Sequence, residues 1–191
     1  MLYTFSSEFY WDNREAIITR LYEDSVVNKD GFSVMGGHGL DASYLATFDI
    51  RAVLAFIDNA AKLDQRVIVH FRAATGNCID LNGIHGWTAG KYRVFHNGIL
   101  DRYFSEVARV DSLDIVDDIR NYGIKKAMER LLQDSFANVI IADVESGDFF
   151  VHRSKVGDFF MDDTETNFST SIIGNINKEV NNYFQKKIIN N

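Results

Sequence analysis

The sequence predicts an α+β fold in which sheet layers are covered by helices, and three observations carry that expectation. Short apolar runs of strand length recur along the chain, as in V-I-V-H-F at 67–71, and they stop on polar residues or glycine. Stretches with apolar residues at helical spacing lie between those runs. The 191 residues, 46% of them hydrophobic, contain no repeat, low-complexity tract or linker, which suits one domain with a full core.

Taken in order, residues 2–5 (L-Y-T-F) are short, apolar and aromatic and suit a strand. Asp12 is a candidate cap for a helix over 13–24, with Ile17, Ile18, Leu21 and Tyr22 on its inner side. Asn28-Lys29-Asp30-Gly31 is a tight-turn signal. Strands are expected at 32–35 and 44–48. Between them, Gly36-Gly37-His38-Gly39 lacks the Lys-Ser/Thr of a phosphate loop and reads as a strand-to-strand turn. Asp49 can cap a helix to about residue 63, with Val53, Leu54, Ile57, Ala60 and Ala61 at helical spacing. Residues 66–71 and 93–95 read as strands. Ser112 opens a helical segment in which Asp117 and Asp118 suit an exposed early turn. Ile124, Ala127, Met128, Leu131 and Leu132 then make the clearest amphipathic helix of the chain. Strands follow at 137–144, 149–152 and 168–173, the first two joined by the hairpin turn Glu145-Ser146-Gly147-Asp148. A last helix over 177–185 carries Val180 and Phe184.

Composition excludes several function classes. A net charge of −7, with nothing more basic than Lys186-Lys187, argues against a nucleic-acid surface. No apolar run is long enough to span a membrane, and M-L-Y-T-F-S-S-E lacks the features of a signal peptide. One cysteine, Cys78, rules out an internal disulfide and fits a reducing, cytoplasmic compartment. A lone cysteine also reads more readily as a small packed side chain than as a nucleophile. The five histidines are scattered without metal-ligand spacing, so neither a metal nor another cofactor is expected. No Gly-x-Ser-x-Gly elbow is present.

The candidate chemistry sits at two strand ends. The stretch 67–77 delivers Arg72 and Thr75 to the end of one strand, and 92–100 delivers Asn97 and Gly98 to the end of another. Polar groups held where a rigid strand turns are a common way to build a ligand site.

The order and company of these residues resemble the class II glutamine amidotransferase family, whose glutaminase domains are of the N-terminal-nucleophile type. The Asn-x-Asp-Gly-aromatic-Gly element of that family is similar to Asn28-Lys29-Asp30-Gly31-Phe32, with Ser33 in place of the last glycine. Its His-x-Arg-x-Ala-Thr motif is matched by His70-Phe71-Arg72-Ala73-Ala74-Thr75. Its Asn…His-Pro element resembles Asn82…His85-Gly86, without the proline. Its His-Asn-Gly motif stands as His96-Asn97-Gly98, followed by Ile99, and its Ser-Asp-Thr/Ser-Glu element resembles Ser112-Leu113-Asp114. A further arginine resembles Arg153.

The resemblance implies a four-layer αββα sandwich. It implies that Arg72 and Thr75 bind substrate, with Arg72 holding the glutamine α-carboxylate as a bidentate fork and Asp114 taking the α-amino group. The Asn97 side chain and the Gly98 N–H would form the oxyanion hole. The family nucleophile is an N-terminal cysteine whose own α-amine is the base. Here Leu2 holds that position. An aliphatic side chain cannot attack an amide, and leucine is too large for the usual removal of the initiator methionine. After Thr75 the usual His-Gly is Gly76-Asn77.

The expectation is therefore a glutaminase-like domain without the family nucleophile, acting as a binding or scaffold protein. Two other readings stay open: an amidohydrolase that uses Cys78, and a structural or inhibitory protein with an empty pocket. Glutamine or glutamate is the expected ligand, and a protein partner or a second copy the expected associate. With no acceptor or synthetase domain in the chain, amidotransfer would need a separate partner. The compact stand-alone form also fits a phage or mobile-element source.

Overall fold

The computed structural model describes residues 1–73, 83–84, 86–98, 100, 112–134, 137–153, 158–161 and 168–171. Thr75, Gly76, Asn77, Cys78, Asn82, His85, Ile99 and the helix expected at 177–185 lie outside the described residues.

The first half runs β1 (Leu2–Phe5), α1 (Ser7–Asp12), α2 (Arg14–Val27), β2 (Phe32–Gly36), a 3₁₀ turn (Gly39–Asp41), β3 (Ser43–Thr47), α3 (Ile50–Lys62) and β4 (Val67–Phe71). The second half runs β5 (Trp87–Ala89), β6 (Tyr92–Gly98), α4 (Ser112–Leu131), β7 (Ala137–Asp143), β8 (Phe149–His152), β9 (Asp158–Met161) and β10 (Phe168–Ser171). The strands form two sheets, ordered β3-β2-β4-β1-β10-β9 and β5-β6-β7-β8, and every pairing is antiparallel. The α+β expectation holds.

Alternation of side chains along each strand sorts the core into three apolar clusters. Tyr3, Phe5, Val34, Val67 and Val69 face α2 and α3, where Leu21, Val53 and Ile57 pack on them. On the opposite face of that sheet, Leu2, Met35 and Ile68 pack with Phe95, Ile140 and Ala142 of the second sheet. The far face of the second sheet, through Val94, Val139 and Ile141, packs on Ile115, Val116 and Leu131 of α4.

Several local expectations change. A short helix, α1, precedes the expected one, capped by Ser6, whose Oγ accepts from Phe9 N at 3.2 Å. Asp12 therefore ends α1, and Asn13 joins the two helices with its Nδ2 donating to Phe9 O at 2.9 Å. Tyr22 and Leu132 are exposed, not inward-facing. Asp118 is buried and ion-paired with Arg130 instead of solvated. Twelve residues of unbroken helix span about 18 Å, so this pair needs a break. Gly123, at φ 80°, ψ 165°, supplies it inside α4. Strands β5 and β9 carried too little periodicity in three and four residues to be expected. Among the described residues no helix is long and apolar enough to cross a membrane.

Candidate functional site

The end of β4 is organised by backbone pairing with two distant segments. Arg72 N donates to Gly31 O at 2.9 Å and Asp30 N donates to Arg72 O at 3.1 Å, so the turn after α2 docks on the residue that leaves β4. Gly31 takes φ 129°, a conformation that favours glycine, and an added Cβ would meet Ile84 at 2.6 Å. On the other side of β4, Phe71 N donates to Met1 O at 2.8 Å and the Met1 amine donates to Phe71 O at 2.6 Å. Two segments separated by some forty residues on one side and seventy on the other are thereby pinned to the same strand end.

Arg72 is 8% exposed. Its guanidinium lies face-on against Gly83, where an added Cβ would stand 2.9–3.0 Å from Nη1, Cζ and Nη2. Nη1 is buried and has no hydrogen-bond partner among the described residues. A buried guanidinium nitrogen left without a hydrogen-bond partner is costly, and a carboxylate is the group whose geometry matches the guanidinium fork.

The second sheet brings Asn97 and Gly98 toward this region. In β6, Phe95 points between the sheets and Asn97, two residues on, shares its face. Asn97 stands opposite Asn138 of β7, and Gly98 adopts φ 121°. Both β1 and β4 contact β6. His96 faces the other way, and its Nδ1 lies 2.8 Å from Ser112 Oγ, both groups buried. This bond ties the end of β6 to the start of α4 and sets Asp114 in the first turn of that helix, half-buried. The histidine of His96-Asn97-Gly98 thus has a positioning role that its sequence neighbours did not announce. Arg153 is exposed after β8.

Leu2 is fully buried. It stands in register with His70 of β4, which in turn faces Ser33 of β2, so the row Ser33–His70–Leu2 points toward the second sheet. The neighbouring α-amine of Met1 is also buried. Burial pushes it down to about 5, with Asp24 acting in the opposite sense. Asp24 accepts from the Tyr3 hydroxyl and from Arg20 Nε at 2.9 Å, and burial pushes its carboxyl up to about 7 against the pull of the amine.

These shifts predict a pH signature. Asp24 has its folded pKa above the ordinary 3.8, so its contribution to stability is full below 3.8 and lost as pH rises to about 7. The Met1 amine has its folded pKa below the ordinary 8.0, so its contribution is full above 8.0 and lost as pH falls to about 5. The slopes oppose each other in the shared window. In Asp24→Asn only the amine's slope remains, and the melting temperature of the variant should fall from pH 8 to pH 5 more steeply than that of the native protein. Parallel melting curves across that range would refute the assignment.

A cleft of about 40 Å³ lined by His38, Arg66, Asp143 and Phe149 opens at the opposite end of β4 and is separate from Arg72. Thr75 and Cys78 lie outside the described residues, so Leu2, Arg72, Asn97, Gly98 and Asp114 are the expected site residues whose surroundings are defined.

No family model matches this sequence, and no curated protein matches it. Among solved structures, a glutamine aminotransferase class-II domain protein from Silicibacter pomeroyi aligns with a TM-score of 0.42 at 10% identity, over 73% of this chain and 78% of that one. A likeness this loose transfers no residue role.

Proposed function

We propose that the chain is a class II glutamine amidotransferase-like domain that binds a free amino acid through Arg72 and does not hydrolyse it by the family route. The observation that carries the reading is the Arg72 guanidinium: buried, backed by glycine, and with Nη1 unpartnered among the described residues. Glutamine or glutamate is the ligand, its α-carboxylate on Arg72 and its α-amino group on Asp114. The amide end is directed toward Asn97 and Gly98. The motif order of the sequence and the packing of Leu2 against Phe95 support this arrangement, with the two sheets and their helices as a four-layer sandwich of the N-terminal-nucleophile type. Leu2 in place of a thiol leaves the site without an attacking group, which favours a binding or scaffold role in an assembly.

Calorimetric titration with L-glutamine, and with an analogue that lacks only the α-carboxylate, tests the reading. Glutamine should bind weakly and the analogue not at all, because removing the carboxylate leaves the buried guanidinium unpaired. Equal binding of the two, or no binding of glutamine at millimolar concentration, would contradict it.

A further inference from the structure

Residues 83 and 84 meet the end of β4 from a third direction. Ile84 is buried and packs where Gly31 leaves room for it. The same Gly31 accepts from Arg72 N at 2.9 Å. Gly83, also buried, is therefore held beside Arg72 by its own neighbour, against the face of the guanidinium. Unlike Gly31, Gly83 takes no positive φ, so its backbone conformation does not call for glycine. The space does. An added Cβ would meet Nη1, Cζ and Nη2 of Arg72 together at 2.9–3.0 Å. Carbon contacts settle at about 3.5–4.0 Å, so the guanidinium would have to retreat by roughly half an ångström or more. As the far end of a long side chain, it can do so without moving the backbone.

We propose that Gly83 is a positioning residue for Arg72, whose missing side chain lets the guanidinium lie flat on the backbone and sets the plane in which a carboxylate is received. A guanidinium donates its hydrogen bonds in its own plane, and a carboxylate meets it edge to edge. Gly83 shields one face of the group from water and leaves the in-plane edge as the receiving side. Nη1, which has no partner among the described residues, lies on that edge. The packing of Ile84 against Gly31 fixes Gly83 relative to the same turn that bonds the Arg72 backbone, so fork and backing are set by one joint. This role rests on the reading of Arg72 as the partner of an α-carboxylate, and it names what orients the fork.

NMR, calorimetry and thermal melting on the full chain test the role. In the unmodified chain the Arg72 Nε–Hε signal, identified by its loss in Arg72→Ala, should be displaced from the position of free arginine. In Gly83→Ala it should move toward that position. L-Glutamine should then bind more weakly by roughly tenfold or more, because a two-point fork tolerates little displacement. Melting separates this from a packing role. In an Arg72→Ala background, Gly83→Ala should not lower the melting temperature, since the added methyl enters the space that the guanidinium vacated. An unchanged Arg72 signal in Gly83→Ala overturns the proposal, and so does an unchanged glutamine affinity. A melting temperature lowered equally by Gly83→Ala in the native and Arg72→Ala backgrounds overturns it as well. If the unmodified chain binds no glutamine, the ligand reading falls, and the Arg72 signal in Gly83→Ala still decides whether Gly83 positions the guanidinium.

Discussion

Leu2→Cys is expected to create glutaminase activity. Cysteine after the initiator methionine permits its removal, which exposes a thiol and an α-amine on one residue, the pair that attacks and takes the proton in this chemistry. The position is right for it. Leu2 opens β1 beside His70 at the end of β4, and it faces the strand that carries Asn97 and Gly98. Donors held ready for a developing oxyanion act only once something attacks. Without a nucleophile such a site retains about 10³–10⁴-fold over water, too little for measurable turnover of an amide. The substitution has a structural cost, since Leu2 is fully buried among Phe95 and Ile140, and loss of methyl groups there lowers stability by less than the about 2–5 kcal/mol of a leucine-to-alanine change. Trimming Met1 also removes its two backbone bonds to Phe71. Ammonia release from the folded, trimmed variant is the expected result. A folded and trimmed variant that stays silent would show that the remaining site is not competent, with the Gly76-Asn77 departure as the first place to look.

Arg72→Ala should abolish amino-acid binding while leaving the fold intact. Losing one partner of a buried charge pair costs about 2–5 kcal/mol, a factor of roughly 30 to several thousand in affinity. The fold should survive because the Arg72 backbone, not its side chain, makes the bonds to Asp30 and Gly31. Removing a buried guanidinium whose Nη1 has no partner among the described residues is expected to raise the melting temperature, since its desolvation cost disappears. Calorimetry and thermal melting on the same preparation separate the outcomes. A sharp loss of stability with no ligand effect would make Arg72 a structural residue.

Much of this fold was legible because strand and helix periods are local signals. The cap at Asp49 appeared where expected, with Oδ1 accepting from Arg51 N at 2.9 Å, and so did the turn at 145–148, where Asp143 accepts from Glu145 N and Ser146 N. What escaped was decided by distant contacts. Asp118 looked solvated because its partner, Arg130, reaches it only through the break at Gly123. Tyr22 fitted the helical stripe but faces water, the inner stripe of α2 being filled by Ile17 and Leu21. At the site, residue types at two strand ends named Arg72, Asn97 and Gly98, and the family resemblance named Asp114, but no sequence pattern disclosed that His96 turns away to bond Ser112 or that Gly83 backs the guanidinium.

The central claim is that this site binds and does not cleave. Ammonia release by the unmodified chain, measured during a calorimetric titration with L-glutamine on the same sample, tests it most directly. Saturable heat without ammonia is the predicted result. Ammonia release that persists in the purified protein and is lost in Cys78→Ser would contradict it and move the chemistry to that thiol.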